Sequence, residues 1–248
     1  MTGDFRAPWR LNMKAKYHRV LLKMSGEALA GEAGRGIDFE FTARVCQAVK
    51  ACMDMGVQVG IVCGGGNYWR GKKDGADNMV RTRADYMGML ATTMNGLVLL
   101  DALEKQGVPA RLMSALDTDK LAEPFNRDAA VRHLEEGKAV IFAGGTGEPY
   151  FTTDTAASLR ALEIGADVLL LGKSVDGVYN ADPVKDPTAV KYDRLSFAKM
   201  LADGLEAMDA TATQLAMENN LPLHVFALED PENILRAVSG EEIGTIIC

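Results

Sequence analysis

Short apolar runs that each end in a small-residue loop recur along this chain, and this pattern constrains its fold more than any other feature. The runs at 20–22, 57–63, 139–142 and 167–171 lead into Lys-Met-Ser-Gly, Gly-Gly-Gly-Asn, Gly-Gly-Thr-Gly and Gly-Lys-Ser. Helical patterns separate most of them. Buried strands that alternate with helices form parallel sheets covered on both faces. We therefore predict an α/β fold, a single-domain three-layer αβα sandwich with a mostly parallel central sheet.

The remaining elements are predicted from apolar periodicity and from capping residues. They are helices over 39–55, 78–106, 154–164 and 209–220, and late strands over 223–227 and 245–247. The helix over 78–106 is rich in methionine, and we interpret its Met79, Met87, Met89 and Met94 as core packing. No linker or repeat is visible. The domain is predicted to cover 17–248, after a poorly ordered tail over 1–16.

Composition and charge exclude several classes of function. The net charge of the 248 residues is −7, and no basic stripe of the kind that binds nucleic acid is visible. Three scattered histidines and four cysteines without a C-x-x-C pair give no zinc site. No apolar run approaches the ~18 residues of a membrane span, and no signal peptide is visible. We expect a cytoplasmic protein without a membrane or nucleic-acid partner.

Ligands of parallel sheets bind beyond the carboxyl ends of the strands, where the glycine-rich loops lie. Two familiar phosphate motifs fail here. The first glycine of a P-loop ending at 172–174 would fall on Asp167, and a G-x-G-x-x-G motif from Gly64 or Gly145 would end on Trp69 or Tyr150. Nucleotide binding must therefore use another scheme.

Individual residues keep simpler alternatives open. Lys23, after the first strand, can reach a phosphate or be an exposed surface lysine. The glycines at 64–66 predict a flexible or positive-φ turn with accessible N–H groups, beside which Arg70 can bind a phosphate, or a plain tight turn. The loop over 146–154 suits a phosphate or a base edge, with Thr153 or Asp154 as an N-cap. Taken alone, Asp85 reads as a solvated helix residue and Asp209 as an N-cap.

Together these segments resemble the amino acid kinase superfamily and, within it, the bacterial UMP kinases. The resemblance covers about 17–247. It is carried by LLKMSGEALAG at 21–31, GGGNYWRG at 64–71, RADYMGMLATTMNGL at 83–97, GTGEPYFTTD at 145–154, VDGVYNADP at 175–183 and MDATATQLA at 208–216. It implies transfer of the γ-phosphoryl group of ATP to UMP, in pyrimidine nucleotide biosynthesis.

The resemblance also implies roles for particular residues. Lys23, Arg70 and Asp209 would be catalytic, with Asp209 orienting Lys23. The residues implied to bind ATP are Lys23, Met24, Ser25, Gly26, Gly66, Arg70, Lys173, Tyr179 and Asp182. Those implied to bind UMP are Gly65, Asp85, Thr146, Gly147, Glu148, Pro149, Tyr150, Phe151, Thr152 and Thr153. Position 173 departs from family members that carry a threonine beside ATP.

The resemblance extends to cofactor and regulation. Mg²⁺ would be held through the ATP phosphates, without a metal site made of side chains. A homohexamer is implied, with the helix over 78–106 as an interface. GTP would activate and UTP would inhibit, and the segment that matches the GTP-activation loop is Gly31, Glu32, Ala33, Gly34, Arg35 and Gly36.

Two alternatives remain. One is a superfamily kinase that phosphorylates a carboxylate or a carbamate, against which the loop TGEPYFTT argues. The other is a non-catalytic nucleotide-binding protein on the same fold, which would lose the catalytic lysine and aspartate. Both Lys23 and Asp209 are present in this chain.

Overall fold

A twisted layer of strands forms the centre of the computed structural model, which describes residues 14–70, 78–183 and 185–248. The strands are β1 (Arg19–Met24), β2 (Gln58–Cys63), β3 (Ala110–Ser114), β4 (Glu123–Pro124), β5 (Ala139–Ala143), β6 (Val168–Lys173), β7 (Val178–Tyr179), β8 (Lys191–Tyr192), β9 (Arg194–Leu195), β10 (Leu223–Ala227) and β11 (Thr245–Ile247). Nine of them form one sheet in the order β4-β3-β5-β2-β1-β6-β10-β11-β9, and β7 pairs with β8 separately. The strand order places β1 near the middle of the sheet.

The helices alternate with the strands along the chain. They are α1 (Gly26–Leu29), α2 (Phe39–Asp54), α3 (Arg81–Lys105), α4 (Arg127–Glu135), α5 (Thr153–Glu163), α6 (Phe197–Ala202), α7 (Ala210–Glu218) and α8 (Glu232–Val238), with a 3₁₀ turn at Gly31–Ala33. Side-chain oxygens start several of them, as those of Asp38 for α2 and Thr152 for α5 do. The predicted helices are confirmed to within about three residues at their ends, which is the usual precision of helix boundaries.

Parallel pairing dominates the sheet. β1 pairs in parallel with β2 and β6, so that Lys23 lies beside Val62 on one side and Leu171 on the other. β5 and β10 continue the parallel array on the two sides, and β11 is antiparallel to β10. The predicted fold class is confirmed. Since parallel strands end at the same edge, the loops after β1, β2, β5 and β6 meet there.

Each face of the sheet carries its own hydrophobic core. Leu22 belongs to one core, under α2, α3 and α8, and its neighbour Leu21 belongs to the other, under α4, α5 and α7. Adjacent strand residues point to opposite faces, so one apolar run supplies both layers. This explains why the strands read as continuous apolar runs rather than as alternating ones.

The exposure of the methionines in and just before α3 corrects one prediction. Met89 is buried, but Met79, Met87 and Met94 are exposed, together with Tyr86 and Leu90. The interpretation of all four methionines as core packing is therefore wrong for three of them. The sheet buries only the face of α3 that carries residues such as Leu99 and Leu103. The opposite face is apolar without being core.

The helix α3 is long and apolar enough to cross a membrane, judged by length and composition alone. The packing of α3 within the domain explains its apolar composition without a membrane. One face lies in the core against β3 and β5, as a core helix of a globular domain does. The apolar composition of α3 therefore comes from the face that packs against the sheet together with the exposed apolar face opposite to it.

The predicted boundary between the N-terminal tail and the domain lies at residue 17, and the structure describes the chain from residue 14 onward. Residues 1–13 of the predicted tail lie outside the described residues. Lys16 donates its backbone N–H to Val238 O at 2.9 Å, so the chain already contacts α8 just before β1. The division at residue 17 stays a prediction.

Candidate active site

Lys23 is the central side chain at the carboxyl edge of the sheet. It lies near the end of β1, where it is only 6% exposed, and its Nζ is 2.5 Å from Asp154 Oδ1. A buried ammonium needs a counter-charge, because burial strongly disfavours an isolated ion. The alternative of an exposed surface lysine is wrong. Lys23 is a held cation at the point where the loops converge.

Asp154 is the residue that the sequence reasoning assigned only to helix capping. Thr152, not Thr153 or Asp154, caps α5, by accepting N–H groups of Asp154 and Thr155. Asp154 instead faces Lys23. Burial alone would raise the pKa of Asp154, but the charges of Lys23 and Lys173 outweigh burial and hold this pKa below its usual value. Asp154 is therefore an ionised partner for both lysines.

Asp209 lies one step further from Lys23. It caps α7 by accepting the N–H of Ala212 at 2.9 Å, and it accepts the hydroxyls of Thr152 and Thr155. The expectation that Asp209 itself orients Lys23 needs correction, because the side chain paired with Lys23 is that of Asp154. Asp209 instead fixes the first turn of α5, which carries Asp154. The contacts join the start of α5 with the start of α7, which are distant in the sequence, so no local sequence pattern reveals them.

Lys173 completes the charged cluster. It ends β6, the strand next to β1. Burial lowers the pKa of Lys173, the charge of Asp154 opposes this, and the charge of Lys23 adds to the lowering. Two lysines thus face two carboxylates at one edge.

The glycine loops approach each other too closely for side chains. A Cβ on Gly26 would lie 2.4 Å from Asn67 Oδ1, and one on Gly65 would lie 2.7 Å from Gly88 O. The expectation of a positive-φ turn is wrong for Gly64, Gly65 and Gly66, which are absent from the positive-φ glycines. Close packing against α1 and α3 is the reason for glycine here. The loop is therefore held in place rather than flexible.

A buried asparagine pair fixes that loop. Asn95 of α3 donates to Gly64 O at 2.6 Å, and Asn67 and Asn95 bond to each other. Asn67 also donates to Gly36 O at 2.8 Å, and Gly36 N donates to Asn67 O at 3.2 Å. The segment Gly31–Gly36 is thereby joined to the glycine loop. Within it, residues 32–35 are exposed.

Other predicted phosphate residues lie around the same edge. Met24 is buried at the end of β1, and Ser25 caps α1. Gly66 lies beside Glu27, whose carboxylate forms an ion pair with Arg70. Arg70 thus projects next to the glycine loop.

A cleft opens beside the ends of β2 and β5. The residues that line it include Gly65, Asp85, Thr146, Glu148, Phe151, Thr152 and Thr153, all predicted from the sequence, together with Trp69, Gly88 and Met89. Gly147 takes a positive φ that lets the loop turn, Pro149 is half-buried, and Tyr150 also has a positive φ. Asp85 is held by Arg81 rather than solvated. The structure thus brings most of one predicted residue set into one cleft.

A second groove lies on the other side of β1, beyond β6. Tyr179 and Asp182 line it with Val175 and Gly177. Tyr179 donates its hydroxyl to Asp176 at 2.6 Å, and Asp182 pairs with Lys185 at 3.3 Å. Because β1 lies between β2 and β6 in the sheet, Lys23 lies between the cleft and this groove. Among the described residues, no group of three or more His, Cys, Asp or Glu side chains suits a metal ion.

Comparison with known proteins gives a consistent result. The model of the amino acid kinase family matches residues 18–227. A crystal structure of UMP kinase from Bacillus anthracis is 37% identical with a TM-score of 0.90, covering 93% of this chain and 96% of that one. One from Ureaplasma parvum is 38% identical with a TM-score of 0.88, covering 93% and 98%. Uridylate kinase from Archaeoglobus fulgidus is 31% identical with a TM-score of 0.73, covering 92% and 99%.

Proposed function

This chain belongs to the amino acid kinase family, and from its likeness to UMP kinases we propose that it transfers the γ-phosphoryl group of ATP to UMP. It is a phosphotransferase that yields UDP and ADP in a reversible reaction, a step of pyrimidine nucleotide synthesis. The likeness extends over 93% of the chain.

The position of Lys23 between two binding regions is the observation that carries this proposal. The cleft beyond β2 and β5 takes the acceptor UMP, and the groove beyond β6 takes the adenosine half of ATP. Their phosphates then meet at the end of β1, where the buried Lys23 lies with the half-buried Lys173 and Asp154. Phosphoryl transfer depends mainly on such positioning and on neutralisation of charge.

In the reaction, an oxygen of the UMP phosphate bonds to the γ-phosphorus and the bond from that phosphorus to the β-phosphate bridging oxygen breaks. Lys23 donates N–H bonds to the transferring oxygens as their charge shifts. Asp154 keeps the ammonium aimed at them, and Asp209 holds α5 and therefore Asp154 in place. The N–H groups of Gly65 and Gly66 and the side chain of Arg70 neutralise the neighbouring phosphates, whereas the N–H of Gly64 donates to Met24 O at 3.0 Å.

Magnesium enters as the complex with ATP. The carboxylates nearest the edge, Asp154 and Asp209, are engaged with Lys23 and with threonine hydroxyls. That donor set fits a metal held by phosphate oxygens and water, the usual arrangement for Mg²⁺ on a nucleotide. When bound, the metal neutralises charge on the β- and γ-phosphates.

The homo-oligomer, a hexamer by resemblance, is part of the same proposal. Tyr86, Met87, Leu90 and Met94 form an apolar stripe on α3, between 37% and 49% exposed. Apolar patches of this kind commonly mark protein interfaces. Sedimentation of Leu90→Lys tests it against Leu201→Lys, a matched change at an exposed leucine of α6. A smaller assembly for Leu90→Lys alone supports the interface, and a monomeric wild-type protein contradicts it.

Regulation and location complete the proposal. GTP activates through residues 31–36, since Gly36 is bonded to Asn67 of the glycine loop. UTP inhibits because it shares its uridine with UMP and its triphosphate with ATP.

A cytoplasmic location is supported by three cysteines that are free and buried, Cys46, Cys52 and Cys63. Burial raises the pKa of each of these thiols to about 12.

The test is an acceptor panel with purified protein, ATP and Mg²⁺. UMP, CMP, N-acetylglutamate and aspartate are offered in turn, ADP release is followed by a coupled assay, and the product is identified by phosphorus NMR. We expect turnover with UMP and a UDP product. Turnover with an amino acid instead would place the chain among the carboxylate kinases, and nucleotide binding without turnover would make it a non-catalytic binder.

A further inference from the structure

We propose that Arg81 is a positioning residue for the acceptor nucleotide, which it serves by fixing the carboxylate of Asp85 and the tip of the loop over 145–153. The inference rests on the proposed function, with UMP in the cleft that Asp85 lines and with the carboxylate of Asp85 accepting a hydroxyl of its ribose. Arg81 itself lies at the first position of α3, one helical turn before Asp85. It was not among the residues predicted from the sequence.

The carboxylate of Asp85 is held by two N–H donors. Arg81 Nε shares its single N–H between both oxygens, at 2.8 Å from each, and the backbone N–H of Tyr150 donates to Oδ2 at 2.9 Å. The side chain of Asp85 is 12% exposed, whereas that of Arg81 is 43% exposed. A mostly buried acceptor is thus oriented by a donor that reaches it from the surface.

Tyr150 connects this pair to the rest of the cleft. Its φ of 72° is unusual for a residue with a side chain, and it lets the backbone N–H turn toward α3. The guanidinium carbon of Arg81 lies 5.4 Å from the centre of the Tyr150 ring, within range of a cation–π contact. Arg81 therefore holds both the carboxylate and the loop tip that follows Thr146.

The acceptor capacity of the carboxylate leads to a specific geometry. An ionised carboxylate offers about four acceptor positions, two on each oxygen. In the described part of the chain, Arg81 and Tyr150 fill two on Oδ2 and one on Oδ1. The remaining position on Oδ1 is available to a ribose hydroxyl. Without Arg81, the carboxylate can rotate and the loop tip loses its anchor, so the ribose contact weakens.

The test uses Arg81→Met, which keeps much of the side-chain stem but removes the donors. Arg83→Met is the matched control, because Arg83 is exposed and residues two apart lie on different faces of a helix. Steady-state kinetics are measured with UMP and with 2′,3′-dideoxy-UMP, which lacks both ribose hydroxyls. Arg81→Lys, which keeps the charge without the guanidinium geometry, is measured beside them, so that the inference stays testable if the methionine variant folds poorly.

For Arg81→Met we expect KM for UMP to rise about tenfold, the share of one charge-assisted hydrogen bond, with kcat and KM for ATP nearly unchanged. The preference for UMP over the dideoxy analogue should fall by a similar factor, and Arg81→Lys should lie between. Melting temperature should change by ~2 °C or less, because the ion pair is largely at the surface.

Three results would overturn the inference: an unchanged preference between the two nucleotides in Arg81→Met, equal effects of Arg83→Met, or a parallel rise of KM for ATP. Each of them leaves UMP kinase activity of the wild-type protein intact, so they refute the role of Arg81 alone. A wild-type protein that does not phosphorylate UMP refutes the proposed function and this inference with it.

Discussion

Replacing Asp154 by asparagine tests the charge cluster at the end of β1. Asp154 pairs with Lys23, whose side chain is 7% exposed, and it is itself 18% exposed. Breaking a buried ion pair by removing one partner costs ~3–5 kcal/mol. We expect the lower end, ~3 kcal/mol, because Asp154 is not fully buried. At this chain length that corresponds to a fall in melting temperature of roughly 6–12 °C.

The same variant should separate nucleotide binding from turnover. Loss of a negative charge beside two lysines leaves the cluster more cationic, so ATP should bind more tightly. Lys23 loses its orienting partner, so kcat with UMP should fall ~10²–10³-fold, the usual cost of one misplaced transition-state donor. Calorimetry gives the ATP affinity, and the coupled ADP-release assay gives kcat.

Asp128→Asn is the matched control for this experiment. Asp128 holds the same second position in α4 that Asp154 holds in α5, but its side chain is 80% exposed and pairs with Arg127 at the surface. It should change neither stability nor turnover appreciably. If Asp154→Asn melts and turns over like Asp128→Asn, the assignment of Asp154 as the partner that holds Lys23 is wrong.

Two further perturbations follow from the same edge of the sheet. Burial lowers the pKa of Lys173 from the usual 10.5, and bound phosphates favour its protonated form. ATP binding should therefore take up a proton at a pH above that lowered pKa, and the dissociation constant for ATP should rise with pH in the same range. Calorimetry in two buffers measures the proton uptake. A pH dependence of ATP binding that survives in Lys173→Met would contradict this role of Lys173. In Gly65→Ala, the new Cβ would lie 2.7 Å from Gly88 O, so the glycine loop must move away from α3. We expect kcat/KM for UMP to fall ~10²-fold. Wild-type kinetics in this variant would refute the close packing of the loop against α3.

The fold could be predicted well because its signal is repeated and local. The strands β1, β2, β5 and β6 are apolar, each is followed by small residues, and helices with a 3.6-residue period lie between them. The exposed face of α3 could not be assigned from this signal. A stripe such as Met87 and Met94 looks the same in the sequence whether it faces the sheet or another surface.

The site could be predicted only in part, because its decisive contacts join distant segments. Asp154 follows two threonines at the start of a helix, which locally reads as capping, and its pairing with Lys23 depends on the arrangement of β1 and α5. The glycines at 64–66 predict a flexible or positive-φ turn, whereas in the structure they allow close approach, which depends on where α1 and α3 pack. The Arg81–Asp85 spacing was visible in the sequence, but the donor from Tyr150 was not.

The most direct test of the central claim is the UMP-dependent turnover of Lys23→Met. Lys50→Met is the matched control, since Lys50 pairs with Asp54 near the end of α2, beside the start of β2 rather than at its carboxyl end. We expect Lys23→Met to remain folded and to bind UMP, while kcat falls by ~10²–10³-fold or more and Lys50→Met behaves as wild type. Turnover of UMP by Lys23→Met at the wild-type rate would show that Lys23 is not catalytic.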